Sequence, residues 1–203
     1  MKIHPAIAVL EFDDIPTGIS ATDAMLKRAP IAFFKCGTIT QGRYLTLIVG
    51  STASVLEAAD EGVRHAGDQL LDHVVLPDVH PRLYEGALGN RHPREGGSLA
   101  ILETSTVSAS VRGAEAALKG TPIELVEIRL ADSGLAGKGV VVFEGQLHDL
   151  DAGVSLAIAQ AGRGPASVSY RIIPAPHDAT IAQIGHGTSF RSSLLIELEG
   201  ETV

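Results

Sequence analysis

The sequence predicts an α+β protein in which one βαββαβ unit is used twice in tandem. Three observations carry this. Asp23-Ala24-Met25-Leu26-Lys27-Arg28-Ala29-Pro30-Ile31 returns as Glu115-Ala116-Ala117-Leu118-Lys119-Gly120-Thr121-Pro122-Ile123, with an acid leading both and five residues unchanged. Ala8-Val9-Leu10-Glu11 returns as Ala100-Ile101-Leu102-Glu103 in the same register. Strand-like and helix-like apolar patterns then follow in the same order in each half, and such a repeat takes precedence over any single-copy reading. With 203 residues and 45% hydrophobic content, the chain can fill two cores, each of about 90 residues.

In the first copy, Ile7 to Phe12 is a short apolar run that reads as a buried strand. Asp13, Asp14, Pro16 and Gly18 then read as a break, and a helix is expected from Ser20 to Arg28 with Ser20 or Thr22 as its N-cap. Pro30 removes a backbone donor and ends that helix. Ile31 to Ile39 and Arg43 to Val49 form the next two strands, joined by the polar turn Thr40-Gln41-Gly42. Ser51 or Thr52 caps a helix running to Ala66 and closed by Gly67, and Leu70 to Leu76 is the fourth strand.

The second copy repeats the order. Strands are expected at Leu99 to Thr104, Ile123 to Ala131, around Val140 to Phe143, and at Val168 to Ile173. Helices are expected at Ser108 to Lys119 and Asp149 to Ala161. Gly50 aligns with Gly145 and Ala66-Gly67 with Ala161-Gly162, which puts an insertion between the second and third strands, at Asp132 to Lys138. Pro77 to His80 aligns with Pro174 to His177. The expected units are residues 5–88 and 98–185, with 89–97 as a polar, turn-rich linker. Residues 186–203 form a tail in which Ser193 to Glu199 reads as a possible extra strand.

Composition narrows the function. A formal net charge of −8 with no basic run argues against a nucleic-acid surface. The single cysteine, Cys36, rules out an internal disulfide and suggests a reducing, cytoplasmic setting. No apolar run approaches the roughly 20 residues of a membrane span, and the N-terminus has no signal-peptide layout. Gly134-Leu135-Ala136-Gly137-Lys138-Gly139 has the flavour of a phosphate loop but lacks its first glycine and its Ser or Thr. The histidines lack ligand spacing for zinc, so no metal is expected; Glu11 and Glu103 read as repeat-related structural carboxylates. Nothing in the sequence demands catalysis.

The repeated Ala-x-Leu-Glu strand, the Asp/Glu-Ala-x-Leu-Lys helix end, the following hairpin and the closing Ile173-Pro174-Ala175-Pro176-His177 resemble bacterial microcompartment shell proteins. The resemblance spans roughly residues 5 to 184 and is to the tandem-domain, trimeric and pseudohexameric class, its propanediol-utilisation type above all. It implies two ferredoxin-like-variant domains, a non-enzymatic homotrimer, and tiles that meet other shell proteins at hexagon edges in a microcompartment shell. It also implies a central pore for small metabolites, lined by Thr40, Gln41 and Gly42 in the first copy and by Asp132, Ser133, Gly134, Leu135 and Ala136 in the second. The edge lysine of the family falls on Lys27 and Lys119, at helix ends where an ammonium suits the macrodipole. In propanediol-type members a cysteine of the first pore turn ligates an iron–sulfur cluster; Thr40 stands there, so no cofactor is expected. Two other readings stay open at this point: a trimeric metabolite-binding or signalling protein of ferredoxin-like repeats, and a tile carrying a redox metal centre.

Overall fold

The computed structural model describes residues 6–92 and 96–196. Each half folds into a four-stranded antiparallel sheet backed by two helices. The first half contains β1 (Ala6–Phe12), α1 (Ile15–Arg28), β2 (Phe33–Thr38), β3 (Tyr44–Gly50), α2 (Thr52–Ala66) and β4 (Leu70–Leu76), followed by α3 (Pro81–Ala87). The second contains β5 (Ser98–Thr104), α4 (Val107–Gly120), β6 (Glu124–Leu130), β7 (Gly139–Gly145), α5 (Leu147–Ala161) and β8 (Val168–Ile173), followed by α6 (Asp178–His186). The sheet orders are β2-β3-β1-β4 and β6-β7-β5-β8, so the two copies share one topology.

Alternation along β1 divides its side chains between two cores. Ala6, Ala8, Leu10 and Phe12 pack with Ala21 and Met25 of α1 and Val55 and Ala58 of α2. Ile7 and Val9 face the other way, with Leu47, Val49 and Val74, and join a core that continues into α3, α4, β6, β7 and α5. The opposite face of the first domain's sheet is therefore sealed by the second domain. Small residues permit the close layers: a Cβ on Gly113 of α4 would stand 3.0 Å from the Ala157 carbonyl of α5.

Several expectations are revised. The first helix starts at Ile15 rather than Ser20, because Asp14 caps it by accepting from Thr17 N at 2.8 Å. Pro16 lies in the first turn, where a missing N–H costs nothing. The stretch after β4 forms α3, and β8 is likewise followed by α6; His80 and His177 are the N-caps, each accepting through Nδ1 from the amide two residues on. Residues 193–196 are not strand, and Leu194 is tied by its backbone to Gln183 of α6. Residue 5, residues 93–95 of the expected linker, and residues 197–203 of the tail lie outside the described residues.

Candidate functional site

The two strand-connecting turns singled out by the repeat meet in space. Thr40, Gln41 and Gly42 form a single 3-10 turn in which Gln41 and Gly42 both take φ of 71°. Across from it runs the longer loop of residues 131–138, where Ala131, Gly134, Ala136 and Gly137 have positive φ. Gly137 N donates to Thr40 Oγ1 at 2.8 Å. A Cβ on Gly137 would lie 2.7 Å from the Arg43 guanidinium and 3.2 Å from Gln41 Oε1, so the approach requires glycine twice over. Thr40, Gln41 and Gly137 thus form one continuous rim. Arg43 belongs to it as well, a neighbour of the turn that the repeat did not single out.

Asp132 projects half-exposed from the start of the second loop and is gripped by Arg129, whose Nε lies 3.0 Å from Oδ2 while its Nη2 donates to Oδ1. The same guanidinium donates to Ser133 O at 3.2 Å and to Thr188 Oγ1 at 3.2 Å. Asp132 is therefore an ion pair rather than a bare carboxylate. Leu135 and Lys138 close successive turns onto the carbonyls of Asp132 and Leu135. Gly134 and Ala136 are turn residues, with φ of 94° and 48°.

The two repeat-related lysines have different surroundings. Lys27 is exposed at the end of α1 and, among the described residues, pairs with Asp23 one turn back. Lys119, at the end of α4, lies 2.7 Å from Glu115 and donates to the Asp78 carbonyl just beyond β4. Burial works against its charge, but Glu115 and Asp78 outweigh this and hold the ammonium above its ordinary value. Glu115 in turn accepts from His80 N at 3.0 and 3.2 Å. The end of α4 is thus fastened to the segment that leads into α3.

A polar junction that the sequence did not disclose joins the two domains. Glu11 is completely buried, and its carboxylate accepts from Ser108 N at 2.6 Å at the start of α4. Asp72, its neighbour on β4, accepts from Thr106 Oγ1 at 2.6 Å, and Thr106 is the N-cap of α4. Arg112 completes the set, donating to Asp72, to His73 O at 3.0 Å and to Gln160 O at 3.1 Å. Burial raises the pKa of Glu11, partly opposed by the Ser108 and Val107 amides; its second oxygen has no partner. Glu103, expected to resemble Glu11, is instead only partly buried and paired with Lys138 at 2.7 Å.

The groups present do not suit an iron–sulfur cluster. Thr40 uses its hydroxyl as an acceptor, and the Cys36 thiol accepts from Tyr44 Oη at 3.1 Å. Burial, with Cys36 beside it, pushes the Tyr44 phenol up to about 12, so it stays a donor. Among the described residues no cluster of three or more His, Cys, Asp or Glu side chains is arranged to hold a metal ion. No helix among them is long and apolar enough to cross a membrane.

Comparison with known proteins gives a consistent result. The family model described as the BMC domain matches twice, at residues 6–79 and 98–176. The chain is 32% identical over 182 residues to the bacterial microcompartment shell protein PduT of Citrobacter freundii, covering 90% of this chain and 98% of that protein. A crystal structure of a microcompartment protein from Desulfitobacterium hafniense DCB matches with a TM-score of 0.74 and 30% identity, over 87% of this chain and 98% of the other. The fold is shared with the double ringed trimeric shell protein MSM0271 of the RMM microcompartment, at 13% identity and a TM-score of 0.57, over 77% of this chain and 82% of that one.

Proposed function

The chain belongs to the BMC domain family and carries that domain twice, and from this premise we propose that it is a structural tile of a microcompartment shell. Three copies close into a pseudohexamer of six similar domains, and these tiles meet other shell proteins edge to edge. Residues 5–88 and 98–185 are the two units, joined through residues 89–97. The work is assembly and control of diffusion, and no bond-breaking step is assigned to any residue.

The observation that supports a central pore is the contact between the two turns. Gly137 N to Thr40 Oγ1 brings the turn of each copy to a common point, as is needed if all six turns of a trimer face one axis. Thr40, Gln41 and Gly42 then alternate with Asp132, Ser133, Gly134, Leu135 and Ala136 around the opening. With Asp132 held by Arg129, that ring offers ion pairs, hydroxyls and backbone dipoles to a small polar metabolite instead of a free ring of carboxylates.

Lys27 and Lys119 are the proposed edge contacts. Both ammonium groups keep substantial exposure beside their partners, and their stems can lie along a neighbouring tile. The test is the double variant Lys27→Ala with Lys119→Ala. Its native mass should remain that of the unchanged protein, while the flat hexagonal sheets of the unchanged protein disappear under the electron microscope. Sheets that persist in the double variant would remove the edge role from these lysines.

A further inference from the structure

The faces that meet at the junction inside the chain have counterparts elsewhere on the molecule. The strand registers fix the equivalences: Glu11 pairs with Asp72 across β1 and β4, and Glu103 pairs with Ser169 across β5 and β8. Asp14 caps α1 as Thr106 caps α4. Within the chain, α4 and β6 of the second domain are covered by β4 and α3 of the first. Among the described residues, their counterparts α1 and β2 have no such cover, and neither do β8 and α6.

The exposures mark this boundary. Val111 of α4 is 0% exposed, whereas its counterpart Ile19 of α1 is 53% exposed. Leu125 of β6, which lies under Gly86 of α3, is also 0% exposed, whereas Phe34, at the matching register of β2, is 53% exposed. On the complementary side, α3 buries Leu83, Tyr84, Gly86 and Ala87, while α6 buries none of its residues. Tyr170 and Arg171 of β8 are exposed where His73 and Val74 of β4 meet α4.

The polar groups of the open faces exchange roles. Inside the chain the acid lies on the strand, Asp72, and the hydroxyl on the helix cap, Thr106. On the open faces the hydroxyl lies on the strand, Ser169, and the acid on the helix cap, Asp14. Arginine crosses over in the same way, from Arg112 on α4 to Arg171 on β8. Asp14 uses one carboxylate oxygen on Thr17 N, which leaves the other for an incoming hydroxyl. Pro16, at the place of Ser108, has no N–H to offer Glu103, and Glu103 is served by Lys138 instead.

We propose that the α1/β2 face of one copy docks on the β8/α6 face of a second copy, with the Ser169 hydroxyl donating to Asp14 and Ile19 and Phe34 buried in the contact. The His177 amide of the β8/α6 face then donates to Asp23, as His80 N does to Glu115 within the chain. The exchange of acid and hydroxyl makes the two junctions non-interchangeable: a first-domain helix cap against β4 would set Asp14 against Asp72. Like charges in such a contact select against the wrong pairing. The proposal rests on the trimeric reading above and adds to it the contacting faces and their specificity.

Native mass spectrometry of the full chain and its variants, across a dilution series, tests this. Ser169→Asp should raise the concentration at which trimers half-dissociate by at least about tenfold, because it sets two carboxylates together, with the far-ultraviolet circular dichroism unchanged. Adding Asp14→Thr to Ser169→Asp rebuilds the Thr106–Asp72 arrangement and should restore the trimer to within about threefold of the unchanged protein, a difference of under ~1 kcal/mol. A trimer indifferent to Ser169→Asp, or one not rescued by Asp14→Thr, overturns the assignment of faces while leaving the trimer in place. An unchanged protein that is monomeric at all concentrations overturns the trimeric reading itself.

Discussion

Glu11 and Glu103 show how identical residues in equivalent places acquire different chemistry. Both end the first strand of their domain, but only Glu11 is covered by a following domain. Its raised pKa comes first from burial, opposed by the amides at the head of α4, with Asp72 adding a smaller repulsion. The folded state therefore holds a proton more readily than the unfolded chain does. The stabilising contribution of that protonation is complete below the ordinary value of 4.5 and is lost as pH rises through the folded pKa. Glu11→Gln removes the titration and retains an acceptor for Ser108 N. The melting temperature of the variant relative to the unchanged protein should climb as pH is raised from about 4.5 toward neutrality. A difference between the two that stays constant over that range would show that Glu11 does not titrate with a raised pKa.

At the level of elements, the repeat made most of the fold legible, because helices and strands of one copy could be checked against the other. The start of α1 was not legible. Asp14 and Pro16 read as a break, whereas an acidic cap followed by a first-turn proline is equally a helix start, and Thr106 with Val107 in the other copy carries no proline to compare. The junction of Glu11, Asp72, Thr106 and Arg112 was hidden for a different reason. Its members belong to three elements of two domains, β1, β4 and α4 with its cap, and no spacing along the chain brings all of them together. The two turns proposed to line a pore were named from the resemblance to shell proteins, and only the second is also marked by the insertion at Asp132 to Lys138; Arg129, which pairs with Asp132, sits on a strand with no such mark.

Gly139 illustrates what the packing of elements demands. It opens β7 directly beneath the first turn of α4, and an added Cβ would fall 2.1 Å from Ser110 Oγ, 2.6 Å from Ser110 Cβ and 3.3 Å from Val107 Cα. Rotating the serine relieves only the first of these. Gly139→Ala should therefore push α4 off the sheet and cost about 1–3 kcal/mol, as overpacking does, a fall of roughly 2–4 °C in melting temperature per kcal/mol. Thermal unfolding of the variant measures this. A melting temperature at or above that of the unchanged protein would mean that α4 is not held against β7 as described.

For the whole molecule, the continuity of the largest core across both domains has a consequence for cooperativity. Ile7, Val9, Leu47, Val49 and Val74 of the first domain share that core with Val111, Leu125, Phe143 and Leu150 of the second. Neither domain can open without exposing apolar surface of the other, so the two should unfold together. Hydrogen exchange read by mass spectrometry should give the buried amides of β1 and β5 the same opening free energy. Arg112 links the domains at the polar end of this contact, and Arg112→Ala removes hydrogen bonds to Asp72, His73 and Gln160 at once. Losing hydrogen bonds from a charged group costs about 1.5–3 kcal/mol in total if the Asp72 contact dominates. That loss should appear equally in β1 and β5, because it acts on the junction they share. Protection reduced in one strand alone would show instead that the domains open independently, and the first domain would then have to be stable with its opposite sheet face bare.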